Sequence, residues 1–251
     1  MHSRSTLLAT VFALIALACA PRVMASDPPA RIRTAGGFEY LVFETRGAAA
    51  DATLPLIIGL HYSGGTPGGS IDYFNALAFP ARIVLPRGPQ PRRNGSSWVS
   101  ARFGAPDLPT QSAELTAMAD RLAALTAELQ QAYPTRGKPL AVGVSYGGDL
   151  AFLLALRHPD MFAATFPVAA RLLPEWMAGA RSCGMRCPSI HALHGQDDVT
   201  VPMVATSRGI AGLATIGFDA RLSAYPGIAH DFDALMQRDF ARLAARHLAP
   251  D

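Results

Sequence analysis

The fold is decided by the stretch from Pro139 to Leu156, which reads PLAVGVSYGGDLAFLLAL. The apolar run Leu140 to Val144 is typical of a buried strand, and the apolar residues from Gly147 onward are typical of a buried helix. Ser145 therefore lies where the strand becomes the helix. A serine at such a turn stands clear of the sheet, where other groups can reach its hydroxyl.

Glycines flank this serine at Gly143 and Gly147, in the pattern GxSxG. A tight turn crowds the backbone, and glycine removes the side chains that would clash there. The helix begins just after the serine, so its positive end and the N–H of Tyr146 face negative charge that develops on a substrate oxygen. We interpret Ser145 as a nucleophile; the alternative is a glycine-rich helix start with an incidental serine.

A nucleophilic serine needs a base and an acid that orients the base. The apolar strand Ser189 to Leu193 runs into a loop with two adjacent aspartates, Asp197 and Asp198. Side chains of neighbouring residues point apart, so only one of the two can orient an imidazole. The spacing HGxxDxxVP favours Asp198, and we expect Asp197 to cap or hydrogen-bond the loop.

His230 follows the last predicted strand, Phe218 to Tyr225, and Asp231 is expected to cap the final helix. The chain order serine, aspartate, histidine predicts that His230 is the base, and no metal or organic cofactor is needed for this chemistry. The other late histidines lie inside a strand, before a glycine turn and near a helix end, where we do not expect them to face the serine: His191, His194 and His247.

A second oxyanion donor is expected on the glycine-rich loop HYSGGTPGG, which follows the apolar strand Leu54 to Leu60. The backbone N–H of Tyr62 or Ser63 is the candidate. His61 is predicted to tie this loop down rather than to take part in catalysis.

The long segment from Pro86 to Gly104 is expected to be irregular and carries Trp98 and Phe103. These two rings either line an acyl or alcohol pocket or pack the loop onto the body of the protein. Trp176 is a further candidate at the border of the site. Arg92 and Arg93 are expected to be solvated.

Residues 1–25 have the pattern of a secretory signal peptide, with a basic start, an apolar core too short to span a bilayer, and small residues before the cut. Cleavage after Ala25 leaves residues 26–251 as one catalytic domain without a membrane span, in a periplasmic or secreted protein. A lipid anchor at Cys19 is the alternative.

The charge and the cysteine content agree with an exported enzyme that acts on small molecules. Residues 1–25 contain two arginines and no acids, so their removal lowers the formal charge from +3 to +1, and no nucleic acid partner is indicated. Cys183 and Cys187 are spaced to close a small disulfide in an oxidising compartment. A metal site would need more ligands than this loop offers.

With these residues in place, the chain resembles the phospholipase/carboxylesterase family of α/β-hydrolases, which includes bacterial carboxylesterases and acyl-protein thioesterases. The resemblance extends from about Leu54 to His247 and rests on the motifs GVSYGGDLAFLLALRHPDMFAATFPVAARL, PSIHALHGQDDVTVP and GFDARLSAYPGIAHDF. It implies an α/β-hydrolase fold, with a mostly parallel central sheet flanked by helices and no large lid domain. It also implies a serine esterase that hydrolyses short- to medium-chain acyl esters.

Three alternatives stay open. A polyhydroxyalkanoate depolymerase-like or feruloyl-type esterase has a similar fold. A dienelactone-type hydrolase is less favoured because that chemistry uses cysteine at the position of Ser145. From a different class, the chain is a ligand-binding relative without activity, which the intact set of Ser145, Asp198 and His230 argues against.

Overall fold

The central feature is a sheet that contains eight of the ten strands in the described part of the chain. The computed structural model describes residues 30–100, 108–181, 183–184 and 187–248. The strands, in chain order, are β1 (Arg31–Ala35), β2 (Phe38–Glu44), β3 (Leu56–Leu60), β4 (Arg82–Pro86), β5 (Gln90–Arg92), β6 (Gly95–Ser97), β7 (Leu140–Val144), β8 (Ala164–Val168), β9 (Ser189–Gly195) and β10 (Ala220–Tyr225). The predicted signal peptide, residues 1–25, and Phe103 lie outside the described residues.

The large sheet has the strand order β1-β2-β4-β3-β7-β8-β9-β10. β2 pairs antiparallel with both β1 and β4, and every other neighbouring pair in this sheet is parallel. The carboxyl ends of the parallel strands therefore meet at one edge, which is where ligands bind in open α/β sheets.

Helices cover both faces of the sheet. They are α1 (Leu108–Ala132), α2 (Tyr146–Arg157), α3 (Pro174–Ala178), α4 (Met203–Thr215) and α5 (Ala234–Leu248), with a 3₁₀ helix at Gly68–Phe74. Successive residues of β3 face opposite sides, since Ile58 packs with α1 and α2 whereas Ile57 packs with α5. This is the predicted α/β-hydrolase architecture. Among the described residues, only the short α3 interrupts the chain between β8 and β9, and no large lid domain covers the sheet edge.

The described helices include none that is long and apolar enough to cross a membrane. The strand Leu140–Val144 was predicted at its observed bounds. The final helix begins at Ala234, and its N-terminal cap is Asp233, whose Oδ1 accepts the N–H of Met236 at 2.9 Å. The prediction that Asp231 caps this helix is therefore wrong.

The segment after β4 is more ordered than the sequence indicates. β5 and β6 form an antiparallel hairpin in the region expected to be irregular. Ser96 pairs with the glycine loop, since Gly64 N–H donates to Ser96 O at 2.8 Å and Ser96 N–H donates to Gly65 O at 2.9 Å. The hairpin thereby holds the glycine-rich loop at the carboxyl edge of the sheet.

Candidate active site

Ser145 occupies a strained turn between β7 and α2. Its φ is 56° and its ψ is −119°, a region that L residues rarely adopt. A Cβ on Gly143 would overlap the backbone of Gly147, and a Cβ on Gly147 would overlap the carbonyl of Leu60. The two glycines of the motif are therefore required by close backbone contact, as the sequence predicted. The N–H of Ser145 donates to Val168 O at 2.9 Å, which fixes the turn to β8.

The structure brings Ser145, His230 and Asp198 together. His230 Nε2 lies 3.1 Å from Ser145 Oγ, and His230 Nδ1 lies 2.7 Å from Asp198 Oδ2. The carboxylate requires the proton on Nδ1, which leaves Nε2 to accept from the serine hydroxyl. Asp198 is buried, and its second oxygen, Oδ1, accepts the backbone N–H groups of Thr200 at 2.9 Å and Val201 at 2.8 Å. The arrangement can therefore take a proton from Ser145 and stabilise the resulting imidazolium.

The loops that carry Asp198 and His230 are bonded to each other. Gln196 N–H donates to Tyr225 O at 2.9 Å, and Asp197 N–H donates to Ile228 O at 3.0 Å. A side chain at Gly195 would overlap the carbonyl of Ile228, so glycine permits this close approach. Asp197 is exposed and contributes to the loop through its backbone.

His194 was not expected near the site, yet its imidazole lies against the acid. It is buried to 1 % exposure, and its Nε2 lies 2.8 Å from Val201 O and 3.3 Å from Asp198 Oδ2. The four-residue spacing from His194 to Asp198 across a tight turn is the sequence signal that indicates this contact.

The predicted oxyanion donors surround Ser145. Tyr146 is the first residue of α2, where backbone N–H groups point out of the helix end. Tyr62 and Ser63 line the same cavity as Ser145, whereas the N–H groups of Gly64 and Gly65 bond to Ser96 O and Tyr62 O. Tyr62 and Ser63 therefore stay the candidates for the second donor.

His61 ties the glycine-rich loop down. It is almost fully buried, its Nδ1 donates to Tyr62 O at 2.7 Å, and its Nε2 accepts the N–H of Gly88 at 3.0 Å. Burial lowers the pKa of His61 to about 4, because the cationic form loses its hydration. His61 is thus a neutral tether, the role that the sequence favoured.

The predicted pocket tryptophans lie in the core. Trp98 is 1 % exposed; it stacks on His61 with the ring centroids 4.6 Å apart, and its Nε1 donates to His61 O at 2.7 Å. Trp176 is also buried, and its Nε1 donates to Ser112 Oγ at 2.8 Å. Neither ring lines the cavity, so Trp98 follows the packing alternative, and the assignment of Trp176 to the border of the site is wrong. Trp98 instead supports the loop that carries Tyr62.

The cavity above Ser145 has a volume of about 570 Å³ and a mixed polar wall. Its lining residues are Tyr62, Ser63, Tyr73, Arg92, Arg93, Val144, Ser145, Tyr146, Arg171, Thr200, Val201, His230 and Asp231. Arg92 and Arg93 thus belong to the cavity wall, where the hairpin of β5 and β6 places them. Arg93 is exposed, as expected, and Arg92 is half-buried, so their place in the cavity wall adds to that expectation.

Arg171 reaches this wall from the segment after β8 and pairs with a buried acid. Its Nε and Nη2 lie 2.9 and 2.6 Å from Asp149 Oδ2, and its backbone N–H donates to Asp149 Oδ1 at 2.7 Å. Burial raises the pKa of Asp149, and the charge of Arg171 opposes that rise. The guanidinium lies 5.3 Å from the centre of the Tyr146 ring. This pair therefore fixes the residue next to the nucleophile.

Cys183 and Cys187 form a disulfide in the structure, with their Cα atoms 5.0 Å apart. The described part of the chain contains no group of three or more histidine, cysteine, aspartate or glutamate residues that could hold a metal ion.

Solved structures share this architecture. Esterase PE8 is 21 % identical, with a TM-score of 0.70 over 80 % of this chain and 96 % of its own. A carboxylesterase from Bacillus cereus is 13 % identical, with a TM-score of 0.69 over 84 % of this chain and 94 % of its own. A ferulic acid esterase from Anaeromyces mucronatus is 14 % identical, with a TM-score of 0.66 over 88 % of this chain and 91 % of its own. At such identities the likeness concerns the fold. None of the curated proteins compared with the chain matches it significantly.

The fold and the site define an α/β-hydrolase that acts on carboxylic esters. More specifically, residues 106–248 match the dienelactone hydrolase family, and because this is more than half of the chain, the protein belongs to that family. We had disfavoured a dienelactone-type hydrolase because Ser145 stands where that chemistry was expected to use cysteine. The family match shows that a serine at this position does not exclude membership.

Proposed function

We propose that the protein hydrolyses short- to medium-chain acyl esters through Ser145, His230 and Asp198. The observation that carries this proposal is the bridging position of His230, which lies 3.1 Å from Ser145 Oγ and 2.7 Å from Asp198 Oδ2. A nucleophile, a base and an orienting acid within hydrogen-bonding reach can form and then hydrolyse an acyl-enzyme.

The reaction begins when Ser145 Oγ attacks the ester carbonyl and His230 Nε2 accepts the hydroxyl proton. Asp198 stabilises the imidazolium, and the N–H groups of Tyr146 and of Tyr62 or Ser63 bind the oxyanion. His230 then gives its proton to the leaving alcohol, which departs and leaves the acyl group on Ser145. Water, deprotonated by His230, then attacks the acyl carbon, the bond between that carbon and Ser145 Oγ breaks, and His230 returns the proton to Oγ as the carboxylic acid leaves.

The cavity wall favours acyl groups at the short end of this range. Arginine, tyrosine, serine and aspartate make up most of the lining, and Val144 and Val201 are its aliphatic residues. A long alkyl chain gains binding energy only from apolar surface that it removes from water. We therefore expect turnover to fall as the acyl chain lengthens beyond a few carbons.

An aromatic acyl group is the second candidate substrate, as in a feruloyl-type esterase. Tyr62, Tyr73 and Tyr146 all line the cavity. Aromatic rings stack favourably on one another at centroid distances of roughly 4.5–7 Å. A polyhydroxyalkanoate depolymerase-like activity belongs to the same reaction type, with a hydroxyacyl ester as substrate.

The test is hydrolysis of p-nitrophenyl esters of increasing acyl length, with methyl ferulate and a soluble hydroxybutyrate oligomer in parallel. We expect highest kcat/KM on short acyl chains and loss of turnover in Ser145→Ala. Higher kcat/KM on methyl ferulate would favour the aromatic substrate. Binding of these esters without turnover would instead identify a ligand-binding relative.

We also propose that the protein is exported, with cleavage after Ala25. The disulfide between Cys183 and Cys187 supports an oxidising compartment. The mass of the mature N-terminus tests this, because cleavage after Ala25 and lipidation at Cys19 give different masses.

A further inference from the structure

We propose that His194 is a positioning residue for the reaction, which holds Asp198 in the orientation that His230 requires. The inference rests on the proposed function, since it assigns a role to a residue that supports the same site. The described contacts of His194 do not include Ser145 or His230, so His194 affects the reaction by positioning Asp198.

His194 contacts the Asp198 carboxylate by two routes. Its Nε2–H donates to Val201 O at 2.8 Å, and the N–H of Val201 donates to Asp198 Oδ1 at 2.8 Å. The same Nε2 lies 3.3 Å from Asp198 Oδ2. His194 therefore restrains the carboxylate twice, once through Val201 and once by direct approach.

The carboxylate needs such a support because the turn that follows Asp198 is exposed. Val199 is 89 % exposed, and Thr200 beside it is also exposed. Among the described contacts of the Asp198 carboxylate, two come from this turn and one from His230, and only His194 belongs to the sheet. His194 lies in β9 opposite Ala224 of β10, so it links the sheet to the carboxylate.

The approach to Oδ2 also has an electrostatic consequence. Oδ2 is the oxygen that accepts Nδ1–H of His230, and it must stay in place while the imidazolium forms. The N–H group of His194, whose Nε2 lies 3.3 Å from Oδ2, attracts this oxygen and opposes rotation of the carboxylate. Loss of His194 should therefore lower the rate of the chemical steps more than substrate binding.

The test compares His194→Leu, His194→Asn and His194→Gln with the wild type in ester hydrolysis. The amide nitrogen of glutamine reaches about as far as Nε2, that of asparagine is shorter, and leucine has no donor. We expect His194→Leu to lower kcat roughly 10- to 100-fold with KM little changed, since the free energy of a hydrogen bond to a charged group corresponds to a rate change of this size. Glutamine should recover most of the loss and asparagine little of it.

A second readout does not depend on activity. The proton on His230 Nδ1 should give a low-field ¹H NMR resonance, assigned by its absence in Asp198→Asn. We expect this resonance to shift or broaden in His194→Leu and to return in His194→Gln. If leucine fails to fold, the glutamine and asparagine variants still make the comparison.

Two results would overturn the inference. One is that His194→Leu keeps the wild-type resonance and the wild-type kcat. The other is that the glutamine and asparagine variants lose kcat equally, which would indicate that His194 acts only through its packing. Absence of Ser145-dependent turnover in the wild type would contradict the proposed function instead, and the resonance would still decide the role of His194.

Discussion

Arg171 and Asp149 form a buried ion pair behind the nucleophile, with Arg171 Nη2 2.6 Å from Asp149 Oδ2. The pair joins the first turn of α2 to the segment that follows β8, and the guanidinium lies over the ring of Tyr146. The negative carboxylate at the start of α2 also complements the positive end of that helix. The position of the proposed oxyanion donor therefore depends on a contact between two elements that are distant in the chain.

Asp149→Asn should destabilise the fold, because it removes the buried carboxylate that pairs with Arg171. Removing one member of a buried ion pair is costly, and since Arg171 is partly exposed we expect a loss of about 2–3 kcal/mol in the free energy of unfolding. Urea denaturation measures the loss. The control is Glu175→Gln at an exposed position of α3, where the change should stay within about 0.5 kcal/mol. An equal effect of both substitutions would show that the ion pair does not stabilise the fold.

Stability should fall below neutral pH because of two histidines at the opposite end of β9. His191 Nε2 lies 2.9 Å from His247 Nε2; burial lowers the pKa of His191 to about 4 and also lowers that of His247. The unfolded histidines, with a pKa of about 6.5, take up protons first, so stability is complete above that pH and is lost as the pH falls toward 4.

The measurement is the free energy of unfolding at pH 7.5 and pH 4.5 in the wild type and in His191→Phe. His61 contributes with the same sign, so the comparison between the two proteins isolates the pair. We expect the phenylalanine variant to lose less stability on acidification, by about 1–2 kcal/mol after allowance for partial exposure. Parallel pH profiles for the two proteins would show that the pair does not control acid stability.

Ser145→Gly should be more stable than Ser145→Ala, although both should lack activity. The φ of 56° at this position is strained for a residue with a Cβ, and glycine relieves a strain of about 1 kcal/mol. In the exposed helical residue Ser207 the order should be reversed, because glycine weakens helices relative to alanine. Melting temperatures of the four variants test this, and the same order at both positions would argue against backbone strain at Ser145.

Trp98→Phe should lower turnover more than Trp176→Phe. Each substitution removes one indole hydrogen bond, but only Trp98 donates to the loop that carries Tyr62 and Ser63. A hydrogen bond contributes about 0.5–1.5 kcal/mol, so we expect roughly a 3- to 10-fold loss in kcat for Trp98→Phe and little change for Trp176→Phe. Equal kcat in the two variants, at similar stability, would exclude this support of the oxyanion loop.

The sequence predicts the parts of the fold that local pattern controls. Leu140–Val144 is uniformly apolar and buried, and the glycines around Ser145 predict the turn. By contrast, β1 has a largely exposed pattern, and β5 and β6 have three residues each, too few to show periodicity. These elements form because they pair with β2 and with each other, which the local sequence does not reveal.

In the candidate site, too, the sequence reveals what local pattern sets and does not reveal what contacts between distant residues set. Ser145, Asp198 and His230 can be found because each follows a recognisable strand in a fixed chain order. Asp149 and Arg171 are 22 residues apart, and only the packing of α2 against β8 brings them together. The sequence leaves Trp98 between the pocket and the body because its loop shows no periodicity, and the hairpin of β5 and β6 decides the question by turning the ring into the core.

A p-nitrophenyl alkylphosphonate shows whether Ser145 is a nucleophile activated by His230, since attack by the serine releases p-nitrophenolate and leaves a stable adduct. We expect one p-nitrophenolate per chain and an added mass on the peptide that contains Ser145. We also expect no reaction in Ser145→Ala and a strongly slowed reaction in His230→Ala. Labelling at another residue, or ester turnover that persists in Ser145→Ala, would exclude Ser145 as the nucleophile.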